Sequence, residues 1–148
     1  YILENLDRDL VKGAIAGPKF QEYLDLQNYD DELDHLEAKY GLPDGRLYLL
    51  FCEGEAAGCI GLRKIDERSC ELKRLYVLPK FRRKGVARSL MAALEENAAA
   101  AGIRRMILET AVDTTDSHRL YLSAGYLPTD YYGSPAGEAN CLCFFKNL

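Results

Sequence analysis

The stretch Glu71–Ala87, ELKRLYVLPKFRRKGVA, contains the end of a strand, a basic loop and the start of a helix. Its first part has the composition and length of a strand, and Pro79 ends it because proline has no N–H for a strand ladder. We predict a strand over Cys70–Leu78 and a helix over Gly85–Ala101. In the helix, apolar residues recur at three- and four-residue steps, the spacing of one helix face: Val86, Leu90, Met91, Leu94 and Ala98.

The start of this helix has the features of an anion site. Helix amino termini carry unpaired backbone N–H groups and about half a positive charge. Gly85 allows a phosphate to approach the backbone closely, and Ala87 keeps the first turn narrow. Four basic side chains surround it: Arg82, Arg83, Lys84 and Arg88. The pattern therefore predicts a cradle for a pyrophosphate, and it is neither a Walker P-loop nor a Rossmann GxGxxG.

Two further strands precede this stretch. Leu47–Cys52 and Ala57–Arg63 are separated by the hairpin turn Glu53–Glu55, so we predict an antiparallel three-stranded meander. A helix over Asp31–Tyr40 comes before the meander. Residues 7–28 have helix-forming composition with a break at Gly17–Pro18.

The segments that follow complete an α+β fold in one domain, residues 1–148. A short strand at Met106–Leu108 after the long helix implies a right-handed crossover and a parallel strand pair. Thr114–Ala124 is a second helix, followed by strands at Tyr126–Tyr131 and Cys141–Lys146, which are joined by the loop Gly133–Gly137. We predict a mixed, mostly antiparallel sheet with helices on both faces.

Charge is unevenly distributed along the 148 residues, whose net charge is −4. Residues 63–105 contain 12 basic and 5 acidic side chains, whereas residues 1–62 contain 5 and 13. An acidic total argues against a nucleic-acid partner, and the basic centre indicates one local anionic ligand.

Apolar runs, cysteines and histidines limit the class and the location that we expect for the protein. No apolar run approaches the ~20 residues needed to cross a membrane, and no signal peptide is visible. The five cysteines form no CxxC pair and there are two histidines, so we expect no metal site and no disulfides. A cytoplasmic protein that binds neither membrane nor nucleic acid is the expectation.

Three motifs together resemble the GNAT superfamily of N-acetyltransferases. The segment Arg82–Ala87 (RRKGVA) matches the acetyl-CoA motif Arg/Gln-x-x-Gly-x-Gly/Ala, and Val77–Pro79 (VLP) supplies the Val-x-Pro that commonly precedes it. Tyr121–Tyr126 (YLSAGY) fits the family's Tyr-x-x-x-Gly-Phe/Tyr. Their order along the chain also fits, and the resemblance covers residues 47–148.

The resemblance implies acetyl-CoA as cosubstrate, bound in a gap where the parallel strand pair splays apart. Backbone N–H groups of Arg83–Arg88 would hold the pyrophosphate, and Leu75–Leu78 would pair with the pantetheine. The N–H of Val77 would polarise the thioester carbonyl. Thr114 replaces the family's usual Asn. The residues implied in cofactor binding are Leu75, Tyr76, Val77, Leu78, Arg82, Arg83, Lys84, Gly85, Val86, Ala87, Arg88 and Thr114.

Two side chains are implied as catalytic. Tyr121 matches the tyrosine that protonates the departing thiolate of coenzyme A, since a thiol and a phenol have neighbouring pKa values. Glu71 matches a glutamate that acts as general base for the amine. The alternative for Glu71 is a solvent-facing side chain or a partner of Lys73 or Arg63, and Glu109 on the next strand is a rival base.

The implied function is N-acetyl transfer to a primary amine of a small molecule or peptide, directly within a ternary complex. The alternative is a non-catalytic acetyl-CoA-binding sensor or interaction module. Tyr131 and Tyr132 either shape the acceptor pocket or belong to an ordinary hairpin, and a homodimer is one arrangement the family allows. An acidic group either lines a site for a cationic acceptor or forms a solvated helix face: Asp30, Asp31, Glu32, Asp34 and Glu37.

Overall fold

A computed structural model of the chain describes residues 29–133 and 138–148. The helical prediction for residues 7–28 and most of the Gly133–Gly137 loop lie outside the described residues. The helices are α1 (Tyr29–Asp34), α2 (Leu36–Tyr40), α3 (Val86–Ala100) and α4 (Thr115–Ser123). The strands are β1 (Gly45–Cys52), β2 (Glu55–Lys64), β3 (Ser69–Val77), β4 (Arg105–Ala111), β5 (Leu127–Thr129) and β6 (Cys141–Asn147), and a 3-10 turn occupies Pro79–Phe81.

The described strands form one six-stranded sheet in the order β1-β2-β3-β4-β6-β5. The β3–β4 pair is parallel, and every other neighbouring pair in this sheet is antiparallel. Helix α3 makes the crossover between the two parallel strands, as the strand–helix–strand pattern predicts. The predicted mixed, mostly antiparallel sheet is confirmed.

The main core lies between α3 and one face of the sheet. All five apolar positions predicted for the inner face of α3 are buried. They form a cluster with sheet residues of β2, β3, β4 and β6, among them Ile60, Leu72, Leu108 and Phe144. Full burial of such a side chain contributes about 1.5–3 kcal/mol, so this face holds α3 in place.

Tyr40 attaches α2 to the opposite face of the sheet. Its side chain is buried, and a Cβ at Gly61 of β2 would lie 2.8 Å from its ring, so only glycine accommodates this close approach. The predicted continuous helix Asp31–Tyr40 is interrupted at His35. A continuous helix would separate Glu32 and Tyr40 by about 12 Å along its axis. The break brings the Tyr40 hydroxyl within 2.9 Å of Glu32 Oε1.

Candidate active site

A gap between the carboxyl-terminal halves of β3 and β4 forms the centre of the candidate site. Pairing between these strands ends at Leu72 and Leu108, although both strands continue. A β-bulge at Arg74 interrupts the pairing of β3 with β2. The backbone φ angle of Arg74 is 54°. Because a bulge bends its strand and increases the local twist, β3 diverges from β4 beyond this residue.

The backbone N–H of Val77 faces this gap. The neighbouring Leu78 N–H donates to the carbonyl of Ala57 on β2 at 2.9 Å, in the register that places Val77 opposite Gly58. Backbone groups of an antiparallel strand alternate between its two sides, so the Val77 N–H points away from β2. Leu78 is one of the residues expected to pair with the pantetheine, and its N–H is engaged with β2 instead.

The amino terminus of α3 has the geometry that the motif predicts for a phosphate cradle. Gly85 precedes the helix with φ 82° and ψ 0°, a left-handed conformation that other residues rarely adopt. A Cβ at Gly85 would meet no atom within 4 Å, so the space before the first turn is open. The Ser89 N–H donates to the Gly85 carbonyl at 3.0 Å, and the amides before it point out of the helix end.

The basic side chains around the cradle divide into two groups. Arg82 Nε donates to the Val77 carbonyl at 3.0 Å, which ties the loop to the strand end. Arg88 Nη2 donates to Ser123 Oγ at 2.7 Å, which ties the cradle to the end of α4. The remaining two are exposed to solvent beside the cradle: Arg83 and Lys84.

Tyr121 lies near the end of α4 and is 7% exposed. Its ring packs against Tyr126, with centroids 6.1 Å apart, and against Phe144 at 6.0 Å. Burial raises the pKa of the Tyr121 phenol to about 12. The phenol therefore stays protonated at neutral pH.

The Thr114 hydroxyl is turned toward the end of β4. It donates to the Ala111 carbonyl at 2.7 Å and lies 2.9 Å from Thr110 Oγ1. Its proton is therefore used within the protein, and toward a cofactor amide it can act only as an acceptor.

Glu71 is 2% exposed and is held by three partners. Arg63 Nη2 lies 2.7 Å from Oε2, Lys73 Nζ lies 3.0 Å from Oε1, and the Tyr132 hydroxyl donates to Oε1 at 3.1 Å. Burial raises the pKa of Glu71, but Lys73 and Arg63 outweigh it and hold the pKa below its usual value. Glu71 is thus paired with both of the cations that sequence offered as partners, Lys73 and Arg63. Tyr132 is a further partner that sequence did not indicate.

Glu109 lies close to a second tyrosine, Tyr131. A Cβ at Gly133 would lie within 3 Å of both the Tyr131 hydroxyl and Glu109 Oε2. Burial, followed by the charge of Glu109, raises the pKa of Tyr131 to about 12. Both glutamates considered as bases therefore lie beside a tyrosine of the segment after β5, and the rings of Tyr131 and Tyr132 stack with centroids 6.4 Å apart.

A second buried carboxylate, Glu32 of α1, lies beside the β-bulge. Arg74 binds both of its oxygens, with Nε 2.6 Å from Oε1 and Nη2 2.8 Å from Oε2. Tyr40 donates to the same carboxylate, and Lys39 pairs with it. Burial raises the pKa of Glu32, but Arg74 and Lys39 outweigh it and bring the pKa to about 2. Of the five acidic residues for which sequence left open an acceptor site or a solvated helix face, Glu32 therefore fits neither, because it is buried and paired with the protein's own cations.

Residues 15–126 match the model of a family described as the acetyltransferase (GNAT) family. The matched segment spans the gap, the cradle and Tyr121. The chain belongs to this family. It is accordingly an acyltransferase, and the resemblance carried by the three motifs is confirmed.

Individual GNAT proteins are similar over most of the chain. The uncharacterized N-acetyltransferase YjgM of Escherichia coli is 31% identical over 115 residues, covering 76% of this chain and 69% of that protein. The N-acetylaspartate synthetase of Danio rerio is 30% identical over 106 residues, covering 70% and 37%. A GNAT acetyltransferase from Elizabethkingia anophelis, solved with acetyl-CoA bound, shares the fold with a TM-score of 0.72 at 20% identity, covering 100% and 95%.

Three further observations concern the described part of the chain. In residues 29–133 and 138–148, no group of three or more His, Cys, Asp or Glu side chains is placed to hold a metal ion. No helix within the same ranges is long and apolar enough to cross a membrane. All five cysteines lie in these ranges and are free thiols.

Proposed function

We propose that this acetyltransferase moves an acetyl group from acetyl-CoA to a primary amine of a small molecule or peptide, within a ternary complex. The observation that carries the proposal is the placement of the open cradle at Gly85 beside the Val77 amide. Arg82 joins the two by donating to the Val77 carbonyl at 3.0 Å. A pyrophosphate bound at the cradle would leave the pantetheine running along β3 toward the gap.

In the proposed reaction, the Val77 N–H donates to the thioester carbonyl oxygen as negative charge develops there. A single donor of this kind is worth about 3 kcal/mol in the transition state. The amine nitrogen forms a bond to the carbonyl carbon, and the carbon–sulfur bond breaks. Tyr121 donates its proton to the departing thiolate, and a carboxylate accepts the proton that the amine loses.

Glu71 is the proposed proton acceptor, and Glu109 is the second candidate. The cations beside Glu71 keep it ionised, which a base requires, but they also weaken its affinity for a proton. Glu109 lies one strand further along, across the parallel pair.

The proposal is tested with acetyl-CoA and a panel of amines, by following the release of free thiol. The panel includes amino acids, polyamines, aminoglycosides and short peptides with a free amino terminus. We expect thiol release that depends on one class of amine. Absence of release with every amine, together with tight acetyl-CoA binding in calorimetry, would instead support the non-catalytic sensor.

The acceptor class and the oligomeric state are found by two separate measurements. The N-acetylaspartate synthetase relative suggests including aspartate in the panel. A homodimer is the proposed alternative to a monomer, and sedimentation equilibrium of the active enzyme distinguishes the two states.

A further inference from the structure

The contact between α1 and the β-bulge has no part in the proposed chemistry, yet it lies next to the proposed oxyanion donor. Arg74, the residue at the bulge, is three residues before Val77 on the same strand. Its side chain binds Glu32 through two hydrogen bonds, one from Nε and one from Nη2. Glu32 therefore contacts the strand that carries the proposed donor.

The conformation of Arg74 needs support from its surroundings. Its φ of 54° is left-handed, and non-glycine residues in this region persist when neighbouring contacts hold them there. Contacts with described residues of α1 and β2 do so here. Glu32 holds the side chain, and Cys59 Sγ donates to the Arg74 carbonyl at 3.3 Å.

The pair is also well shielded and well ordered. The Arg74 and Glu32 side chains are 11% and 4% exposed. A bidentate pairing fixes the orientation of the guanidinium as well as its position. Tyr40 and Lys39 hold Glu32 in turn, so the bulge is connected to α2 as well as to α1.

The bulge decides which amides of β3 face the gap. Backbone groups alternate along a strand, and a bulge adds one residue to that alternation. Without the extra residue at Arg74, the downstream residues would change sides: the Val77 N–H would face β2, and the Leu78 N–H would face the gap. Contacts that stabilise the bulge therefore determine which backbone amide faces the gap as the proposed oxyanion donor.

We propose that Glu32 is a positioning residue for acetyl transfer: through Arg74 it holds the β3 bulge and thereby aims the Val77 N–H into the gap. This inference rests on the proposed function for its kinetic consequence. It predicts that loss of the pair lowers kcat more than it weakens acetyl-CoA binding, because the cradle lies outside the contact.

The test compares Glu32→Gln, Arg74→Gly and the double variant with a matched control, Glu67→Gln. Glycine suits the left-handed conformation, so Arg74→Gly removes the ion pair and still permits the turn. Glu67 pairs with Lys64 at an exposed position, so its substitution makes the same chemical change far from the bulge. Thermal melting identifies the temperature at which all variants are folded.

We expect Glu32→Gln to lower kcat by about tenfold or more, because misplacement of a catalytic group by about 1 Å can cost about a hundredfold. The Kd for acetyl-CoA should rise by a smaller factor than kcat falls, since the cradle is unchanged. Glu32→Gln should have no further effect in the Arg74→Gly background, because residues acting through one contact are not additive. Glu67→Gln should match wild type.

A second readout needs no turnover: the Val77 amide resonance in ¹⁵N-labelled protein, with CoA and with acetyl-CoA. In wild type this resonance should differ between the two ligands, and in Glu32→Gln the difference should shrink. A Val77 resonance unchanged by Glu32→Gln, or kinetic losses that add in the double variant, would overturn the inference. A wild type without turnover would instead contradict the proposed function, and the resonance would still decide this inference.

Discussion

At the scale of single residues, Tyr121 combines a protonated hydroxyl with rigid ring packing. Tyr121→Phe keeps the contacts with Tyr126 and Phe144 and removes only the proposed acid. We expect kcat to fall by about a hundredfold, the usual worth of a positioned proton donor. The Kd for acetyl-CoA, measured by calorimetry, should be unchanged.

The neighbouring Tyr126 provides a matched control for this prediction. Tyr126→Phe removes a buried hydroxyl from the same ring pair and should leave kcat near the wild-type value. If both variants lose activity equally, the effect comes from packing, and Tyr121 is not the acid.

The two candidate bases make different predictions for the pH dependence. Because the pKa of Glu71 lies below its usual value, its carboxylate is ionised at all pH values above about 5. A base with this pKa produces no fall in kcat/KM between about pH 8 and pH 5. Glu71→Gln should then lower kcat/KM by a similar factor at every pH in that range.

Substitution of Glu109 is the matching experiment, because Glu109→Gln makes the same change one strand away. Full activity in Glu71→Gln with a large loss in Glu109→Gln would transfer the role of base to Glu109. If kcat/KM still falls near neutral pH in both variants, the titrating group responsible for that fall is neither carboxylate.

At the scale of elements, the amino terminus of α3 is assigned to phosphate binding, and its carboxyl terminus is not. Gly85 and Gly102 flank this helix with φ values of 82° and 90°, and a Cβ at either would meet no atom within 4 Å. Alanine at either position should therefore cost about 1 kcal/mol of stability through backbone strain alone. Gly85→Ala should also weaken acetyl-CoA binding, because its Cβ stands in the cradle.

Calorimetry and urea unfolding of the two alanine variants separate strain from binding. We expect equal losses of stability and a raised Kd only for Gly85→Ala, with Gly85→Glu abolishing binding. Normal acetyl-CoA affinity in Gly85→Glu would contradict the cradle assignment.

At the scale of the whole molecule, the Glu32 cluster connects α1 and α2 to the sheet and should make stability depend on acid pH. The pKa of Glu32 is lowered to about 2, so its ion pairs contribute stability above its usual pKa of 4.5. That contribution is lost as the pH falls from about 4.5 toward 2. Its full size at neutral pH is about 3 kcal/mol, from the difference between the two pKa values.

Urea unfolding of wild type and Glu32→Gln at a series of pH values measures this contribution. The difference between their free energies of unfolding should be largest near pH 7 and should shrink below about pH 4. Glu67→Gln should follow the wild-type curve, because its carboxylate is exposed. A difference independent of pH would mean that the ion pairs of Glu32 are not the source.

Much of the fold could be predicted because its signals are local. The apolar face of α3, the turn at Glu53–Glu55 and the glycine before α3 each depend on residues a few positions apart. The interruption at His35 was missed. Nothing nearby in sequence indicates it, and it accompanies the seating of Tyr40 on Gly61, a contact between segments about twenty residues apart.

The candidate site divides in the same way. The proposed cradle and the proposed acid Tyr121 lie in short motifs, so sequence could predict both of them, and the same motifs indicated the family. Sequence also left Glu71 as either a general base or an ion-pair partner. The alternation of a strand shows which face a side chain occupies, but it does not show which side chains it contacts.

Sequence by itself determined the fold class, the helix start that suits a pyrophosphate and the positions of Tyr121 and Glu71. Tertiary structure alone decided the partners: Tyr132 lies 61 residues from Glu71, and Glu32 lies 42 residues from Arg74. The physical reason is the separation along the chain over which each kind of interaction acts. Helix and turn preferences act over one or two turns of chain, whereas a buried charge is paired by whichever segments the packed sheet brings beside it.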